Sequence, residues 1–266
     1  MKQVHGACPH DCPDTCAWQV TVDDSGRAVQ LKGADGHPYT QGALCAKLKR
    51  YTERVLYPHK RTGAKGSGEF KRISWDEAIS EMVTRLKDSI ARHGPLTAMP
   101  CNFAGTIGVL QRYAGDQFFA RLGATDLDKQ ICGNVAYNAV ASTIGAGPVL
   151  LPEDLEHSRL ILIWGTNTVA TNVHLWGGAI AKARKRGAQV VVIDPVRTPT
   201  AAHADWHVQL KPATDAALAL GMMHVIVRDG LHDADYIARH TLGFEALCER
   251  LKEFPPSRVA DITGLD

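Results

Sequence analysis

Two short runs near the start of the chain, WQVTV (18–22) and AVQLK (28–32), alternate apolar and polar positions with period two. Asp24, Ser25 and Gly26 between them supply turn chemistry, so residues 17–32 predict a β-hairpin. The period then changes. In SWDEAISEMVTRLKDSIARHG (74–94), Ile79, Met82, Val83, Leu86 and Ile90 fall on one helical stripe. Ser74 and Glu77 form a capping box at its start, and Gly94-Pro95 is its stop. A strand through TAMPC (97–101) and a helix over about 109–122 follow. Farther on, RLILIWG (159–165) and QVVVIDP (189–195) are short unbroken apolar runs, the pattern of strands buried on both faces. A helix over 173–186, closed by Gly187, joins them. A short HVQL strand (207–210) and an apolar helix over 215–228 come after. Strand, helix and strand at this spacing predict an α/β fold with a parallel sheet.

Ligands of such sheets bind outside the carboxyl ends of the strands. Those ends carry Gly165, Thr166 and Asn167 after one strand and Asp194, Arg197 and Thr198 after the next. Glycine admits close approach to the backbone, aspartate accepts from sugar or base donors, and arginine meets phosphate. No GxGxxG is present, so the pattern implies a nucleotide-like ligand as a class only. RTGAKGSGEFKR (61–72) lacks the GK[ST] ending of a phosphate loop and has no apolar strand before it. It reads as a connector between domains.

The first fifty residues carry different chemistry. Cys8, Cys12 and Cys16 lie in CPHDCPDTC and Cys45 in GALCAKL, with intervals of three, three and twenty-eight residues. Thiolates are soft donors suited to iron–sulfur clusters or zinc. Zinc ribbons pair their cysteines as two knuckles, whereas three close cysteines plus one distant cysteine is how iron–sulfur clusters are held. The reading is a four-iron cluster. Lys47, two residues past the last ligand, would gain about 2–3 kcal/mol per opposing charge at ~6 Å and an effective dielectric of ~20.

Composition adds limits. At 266 residues, 45% hydrophobic, the chain can bury a sizeable core in one large or two ordinary domains. A net charge of +2, from 30 basic and 28 acidic residues, points to neither nucleic acid nor a membrane surface as partner. Seven cysteines, four of them clustered, suit a metal better than disulfides. MKQVHGACPHDC leaves no room for a signal peptide before the first cysteine and holds no twin-arginine signal, and no run is long enough for a membrane helix. A reducing cytoplasm is the expected location.

The ordered set CPHDCPDTC, LCAK, RISWDEA, FFARLGA, LILIWGTN, VVVIDPVRT and KPATDAALAL resembles the molybdopterin oxidoreductase family. More narrowly, it resembles the branch with one 4Fe-4S cluster and a bis(molybdopterin guanine dinucleotide) molybdenum or tungsten centre. The resemblance covers essentially the whole chain. It implies a small β-rich iron–sulfur domain (1–60), the first part of a split α/β domain (61–130), and a Rossmann-like parallel-sheet domain for the dinucleotide (131–266), incomplete at the C-terminus.

By the same resemblance Cys8, Cys12, Cys16 and Cys45 hold the cluster, and Lys47 lies between cluster and pterin on the electron route. Gly165 and Asn167 receive one guanine dinucleotide, Asp194, Arg197 and Thr198 contact sugar and phosphate, and Pro212, Thr214 and Asp215 lie near the guanine edge. Thr168 stands where Asn-Pro is common and Ala213 where Gly is common. Cys132, in QICGNVAYNAVASTIG, stands where the family has its protein ligand to the metal. Formate dehydrogenases usually have His after that ligand; here it is Gly133, which lowers the formate reading. Cys101 and Cys248 are expected to be buried structural cysteines, and Trp164 and Trp176 core residues. No mechanism attaches to His174 or His203. Because the resembling proteins continue beyond RVADITGLD, the expectation is the N-terminal part of an oxidoreductase acting on a small-molecule substrate. An electron carrier or redox subunit, and a chain supplying the other half, are its expected partners. The alternative is an iron–sulfur electron-transfer or cofactor-holding subunit without catalysis of its own.

Overall fold

The structure, a computed structural model, describes residues 1–10, 12, 14–48, 51–53, 57–101, 113–128, 133–145 and 150–266. The chain divides into two compact units, residues 1–149 and 150–266.

The first unit opens with an antiparallel sheet of β1 (Lys2–Ala7), β2 (Ala17–Val22) and β3 (Ala28–Gly33), in that order. The β2–β3 turn is closed by Asp23, whose carboxylate accepts from Ser25 N–H, Ser25 Oγ–H and Arg27 N–H. Register places Trp18 between Gly6 and Gly33. The indole lies over Gly6, where a Cβ would come within 2.3 Å of the ring. β1 carries little alternation and was not legible as a strand; pairing with β2 makes it one.

Residues 61–72 are not a bare connector. β4 (His59–Arg61) and β5 (Phe70–Arg72) pair as an antiparallel hairpin. Its strands are charged rather than alternating, and cation–π contacts of Arg72 with Tyr57 and Arg61 with Phe70 take the place of an apolar face.

Among the described residues of this unit the α-helices are α1 (Trp75–His93), α2 (Asp116–Leu122) and α3 (Gly133–Ile144). In α1 the Ser74 hydroxyl accepts from Glu77 N–H at 3.0 Å, and Gly94 ends the helix at φ 82°. None of these helices has a buried residue among those described. Among the described residues the α1 stripe is only partly covered: Leu86 and Ile90 are half-buried, while Ile79 and Met82 are half or more exposed. Among the described residues TAMPC forms no strand: the Ala98 carbonyl accepts from Thr125 N–H, and a strand needs a ladder partner.

The second unit is built on a parallel sheet in the order β6 (Leu160–Trp164), β7 (Gln189–Ile193), β8 (Trp206–Val208). β7 is buried on both faces: Val190 and Val192 pack with Ile161, Ile163, Ile180 and Ala183, while Val191 and Ile193 pack with Val208 and Leu210. Burying such side chains contributes about 1.5–3 kcal/mol each. β6 departs from expectation, because only Ile161 and Ile163 are covered and Leu160 and Leu162 face outward. Among the described residues it is the edge strand of this sheet.

The segment between β6 and β7 is α4 (Thr168–Thr171), α5 (Val173–Leu175), a π-helical stretch (Trp176–Ile180) and α6 (Ala181–Lys185). α7 (Pro199–Ala202) precedes β8. α8 (Asp215–Arg228), α9 (Ala234–His240), α10 (Phe244–Leu251) and α11 (Pro256–Thr263) follow it. Gly221 of α8 lets α11 approach closely, since a Cβ there would sit 2.8 Å from Val259.

Candidate cluster and dinucleotide sites

The cysteine site begins where β1 ends. Cys8 N–H donates to the Cys16 carbonyl at 2.8 Å, closing the three-cysteine loop at its base. The fourth cysteine returns through a tight backbone approach. A Cβ on Gly33, the last residue of β3, would fall 2.1 Å from the Gly42 carbonyl oxygen, so only glycine lets β3 touch the strap leading to Cys45.

The Cys16 thiol is buried and pushed up to about 11, first by desolvation and then by repulsion from Cys8, Asp14, Cys45 and Cys12. Cys12 is also raised, mainly by burial, with the exposed Lys47 ammonium opposing the shift. The structure thus brings Cys8, Cys12 and Cys45 within electrostatic reach of Cys16, and Lys47 within reach of Cys12. A buried thiol whose ionisation its neighbours oppose suits a strongly cationic group, which binds it as a thiolate. Among the described residues no three His, Cys, Asp or Glu side chains close around a single metal ion. Three close cysteines and one distant cysteine are the donor set by which four thiolates hold an iron–sulfur cluster.

Sequence reasoning missed three residues here. Asp14 Oδ1, Trp18 Nε1 and Thr40 Oγ1 are buried without a hydrogen-bond partner among the described residues. Such atoms are costly unless something satisfies them, and all three belong to the cysteine domain. Asp14 sits inside the ligand loop, which was the signal available for it. Cys132 lies outside the described residues. Cys101 is exposed and Cys248 half-buried, so neither is the buried structural thiol expected.

The second site lies at the carboxyl ends of β6 and β7. Gly165 turns at φ 62°, is exposed, and has open space where a Cβ would stand. The Asn167 amide oxygen accepts from Thr200 Oγ–H at 2.8 Å, and Thr200 Oγ accepts in turn from Val169 N–H. Thr200 is fully buried and ties the first turn to α7; it was not singled out from sequence. Asp194 is buried, with Oδ1 accepting from Val196 N–H at 2.8 Å. Thr198 caps α7 by accepting from Ala201 N–H. Arg197 is exposed and makes no hydrogen bond or ion pair among the described residues, so its guanidinium is available.

Trp164 is more than core. Its Nε1–H donates to Asp215 Oδ1 at 2.7 Å, joining the end of β6 to the start of α8. Between them, Pro212 is exposed, Ala213 adopts φ 64°, and Thr214 Oγ–H donates to the Lys211 carbonyl at 2.6 Å. Gly165, Asn167, Asp194, Arg197, Thr198, Thr214 and Asp215 are thus gathered at one end of the sheet. Trp176 sits edge-on to His203, whose Nδ1 bonds the Pro199 carbonyl; both support α7. His174 is buried.

Comparison with known proteins gives a consistent picture. The molybdopterin oxidoreductase family matches residues 54–247, and the molybdopterin oxidoreductase Fe4S4 domain matches residues 1–56. The chain is 39% identical over 265 residues to "Probable oxidoreductase YoaE" of Bacillus subtilis, covering 97% of this chain and 39% of that protein. It is 32% identical to acetylene hydratase of Syntrophotalea acetylenica, covering 98% and 37% respectively. The solved structure of acetylene hydratase from Pelobacter acetylenicus superposes with a TM-score of 0.68 at 31% identity, covering 98% of this chain and 37% of that one. The chain spans about two fifths of the length of these relatives.

Proposed function

The chain belongs to the molybdopterin oxidoreductase family, and we propose that it is the cluster-bearing N-terminal part of a molybdenum or tungsten enzyme performing two-electron redox chemistry. The observation that carries this reading is the convergence of Cys8, Cys12, Cys16 and Cys45 on one loop and one strap, with Lys47 beside them. In this reading those four thiolates hold a 4Fe-4S cluster, and Cys132 is the protein ligand of the pterin-bound metal. When bound, bis(molybdopterin guanine dinucleotide) and its metal supply the redox chemistry, and the protein supplies position and electrostatics.

The residues of the second site have separable tasks. Gly165 leaves the backbone open to the dinucleotide, Asp194 and Thr198 hold the turn in shape, and Arg197 offers an unengaged cation to phosphate. Asp215, fixed by Trp164, sets the position of the 212–215 segment against the guanine edge. Lys47 places positive charge beside the cluster, on the side from which electrons pass to the pterin. The electron partner is a carrier protein or redox subunit, and the location is the cytoplasm. No helix among the described residues is long and apolar enough to cross a membrane.

A second reading has its own support. Among the described residues Ile79 and Met82 of α1 and Val135 and Tyr137 of α3 present exposed apolar side chains. In that reading the chain is a cofactor-holding or electron-transfer subunit, and another chain supplies the second dinucleotide site and the cover. Both readings require the cluster. Serine replacement of each of the four cysteines, one at a time, is expected to abolish the dithionite-bleachable visible chromophore of anaerobically prepared protein. Retention of the full chromophore in any of the four contradicts the ligand set. Arg197→Ala is expected to weaken binding of guanosine diphosphate; unchanged affinity contradicts the dinucleotide assignment.

A further inference from the structure

Tyr51 and His10 meet across the cysteine domain. The tyrosine hydroxyl is hydrogen-bonded to His10 Nε2, and the two rings lie 5.5 Å apart at 50°. On the histidine side, the His10 carbonyl accepts from Cys12 N–H at 2.9 Å. On the tyrosine side, Tyr51 N–H donates to the Leu48 carbonyl and Leu48 N–H to the Cys45 carbonyl, each at 3.1 Å. Leu48 between them is completely buried, so this segment is anchored. An unbroken series of hydrogen bonds therefore runs from the second cysteine of the loop to the fourth cysteine on the strap.

We propose that the Tyr51–His10 hydrogen bond is a latch that fixes the three-cysteine loop against the segment carrying Cys45. Tyr51 and His10 are then positioning residues: they touch no reacting atom, but they hold the four thiolates at one spacing. The inference rests on the reading that these cysteines hold a cluster. It does not depend on a charge on the histidine, because a tyrosine hydroxyl both donates and accepts and so can bond either neutral tautomer. The carbonyl and ring of His10 act together. The ring is held by Tyr51 while the carbonyl sets the backbone of Cys12, so releasing the ring frees the ligand loop to open.

The test uses the full chain purified anaerobically as wild type, Tyr51→Phe, His10→Gln, His10→Leu and the Tyr51→Phe/His10→Leu double variant. Iron and sulfide per chain, the rate of iron release to an excess of chelator, and the electron paramagnetic resonance spectrum of the dithionite-reduced protein are read for each. Tyr51→Phe keeps the ring and removes only the hydroxyl. It is expected to assemble the same iron count, to release iron about fivefold faster, the scale of one net hydrogen bond, and to shift the spectrum. His10→Gln, whose amide can still bond the hydroxyl, recovers most of the wild-type rate. The double variant releases iron no faster than either His10→Leu or Tyr51→Phe alone, as expected of residues that act through each other. A Tyr51→Phe protein with wild-type release rate and spectrum overturns the latch and leaves the cluster reading standing. So does one that assembles less cluster with unaltered spectrum and release rate, because that is a folding effect. A wild-type chain without iron and sulfide overturns the cluster reading itself.

Discussion

Trp164→Phe is the sharpest probe of the second unit. The substitution leaves an aromatic ring beside Val191 and Ile193 and deletes one donor, the Nε1–H that meets Asp215 Oδ1 at 2.7 Å. A hydrogen bond to an ionised acceptor contributes about 1.5–3 kcal/mol net. Asp215 is the first residue of α8, and its carboxylate meets the helix dipole with or without the indole, so that contribution cancels and the site's partial exposure sets the loss at the lower end. The expected net loss is about 1.5 kcal/mol. With a urea slope of about 1–3 kcal/mol/M, the unfolding midpoint falls by roughly 0.5–1.5 M. Far-UV circular dichroism is the suitable readout, because the variant alters tryptophan fluorescence directly. Guanosine diphosphate affinity falls as well, since the turn after β6 and the 212–215 segment are no longer pinned together. A loss below about 0.5 kcal/mol, or an unchanged affinity despite the full loss, refutes the claim that this bond organises the site.

Other substitutions test the remaining parts of the account. Ala213→Gly relieves a left-handed residue that costs about 1–2 kcal/mol and incurs about 0.5–1 kcal/mol of glycine entropy, so urea denaturation is expected to show a gain of about 0.5 kcal/mol or more. Gly33→Ala forces a Cβ into the Gly42 carbonyl and is expected to prevent cluster assembly, seen as loss of the visible chromophore while the second unit keeps its helical signal. Thr200→Val leaves Asn167 Oδ1 and Val169 N–H unpaired and is expected to destabilise by about 2–3 kcal/mol in the same urea assay. For the metal-free protein, the raised Cys16 thiol holds its proton well above pH 9, so its thiolate fraction near pH 8 is about a hundredfold below that of an ordinary thiol. Mass spectrometry is expected to find Cys16 the slowest of the four to be alkylated, its rate rising with pH through the alkaline range.

The regular elements of the second unit were legible because their signals are local. VVVI is buried on both faces as its unbroken apolar run implies, and the α8 and α1 boundaries follow from Asp215 and from the Ser74 cap. Burial itself was not legible. Among the described residues the same kind of run in β6 leaves Leu160 and Leu162 exposed, and the α1 stripe is covered only in part, because what covers them is decided by elements elsewhere. The β4–β5 hairpin escaped notice since its strands carry Arg, Lys and His, and their pairing depends on partners rather than on period. In the cysteine domain the ligand types and spacing stood out in the sequence. The supports did not: Gly33 against Gly42, Tyr51 on His10 and the buried Asp14 are contacts between residues far apart or of unremarkable type. At the sheet ends the polar residues were visible, but their division into held and free was not. Asp194 and Thr198 are engaged in capping the turn, whereas Arg197 is left open.

The central claim is that this chain carries a 4Fe-4S cluster in a molybdenum or tungsten enzyme. Counting iron, acid-labile sulfide, molybdenum and tungsten per chain, in protein produced anaerobically in its native host, tests it most directly. The account predicts four irons and four sulfides, with molybdenum or tungsten at one per chain when the rest of the enzyme is present. Four irons without either metal would reduce the chain to the cofactor-holding or electron-transfer reading. Zinc alone would contradict the account at its root.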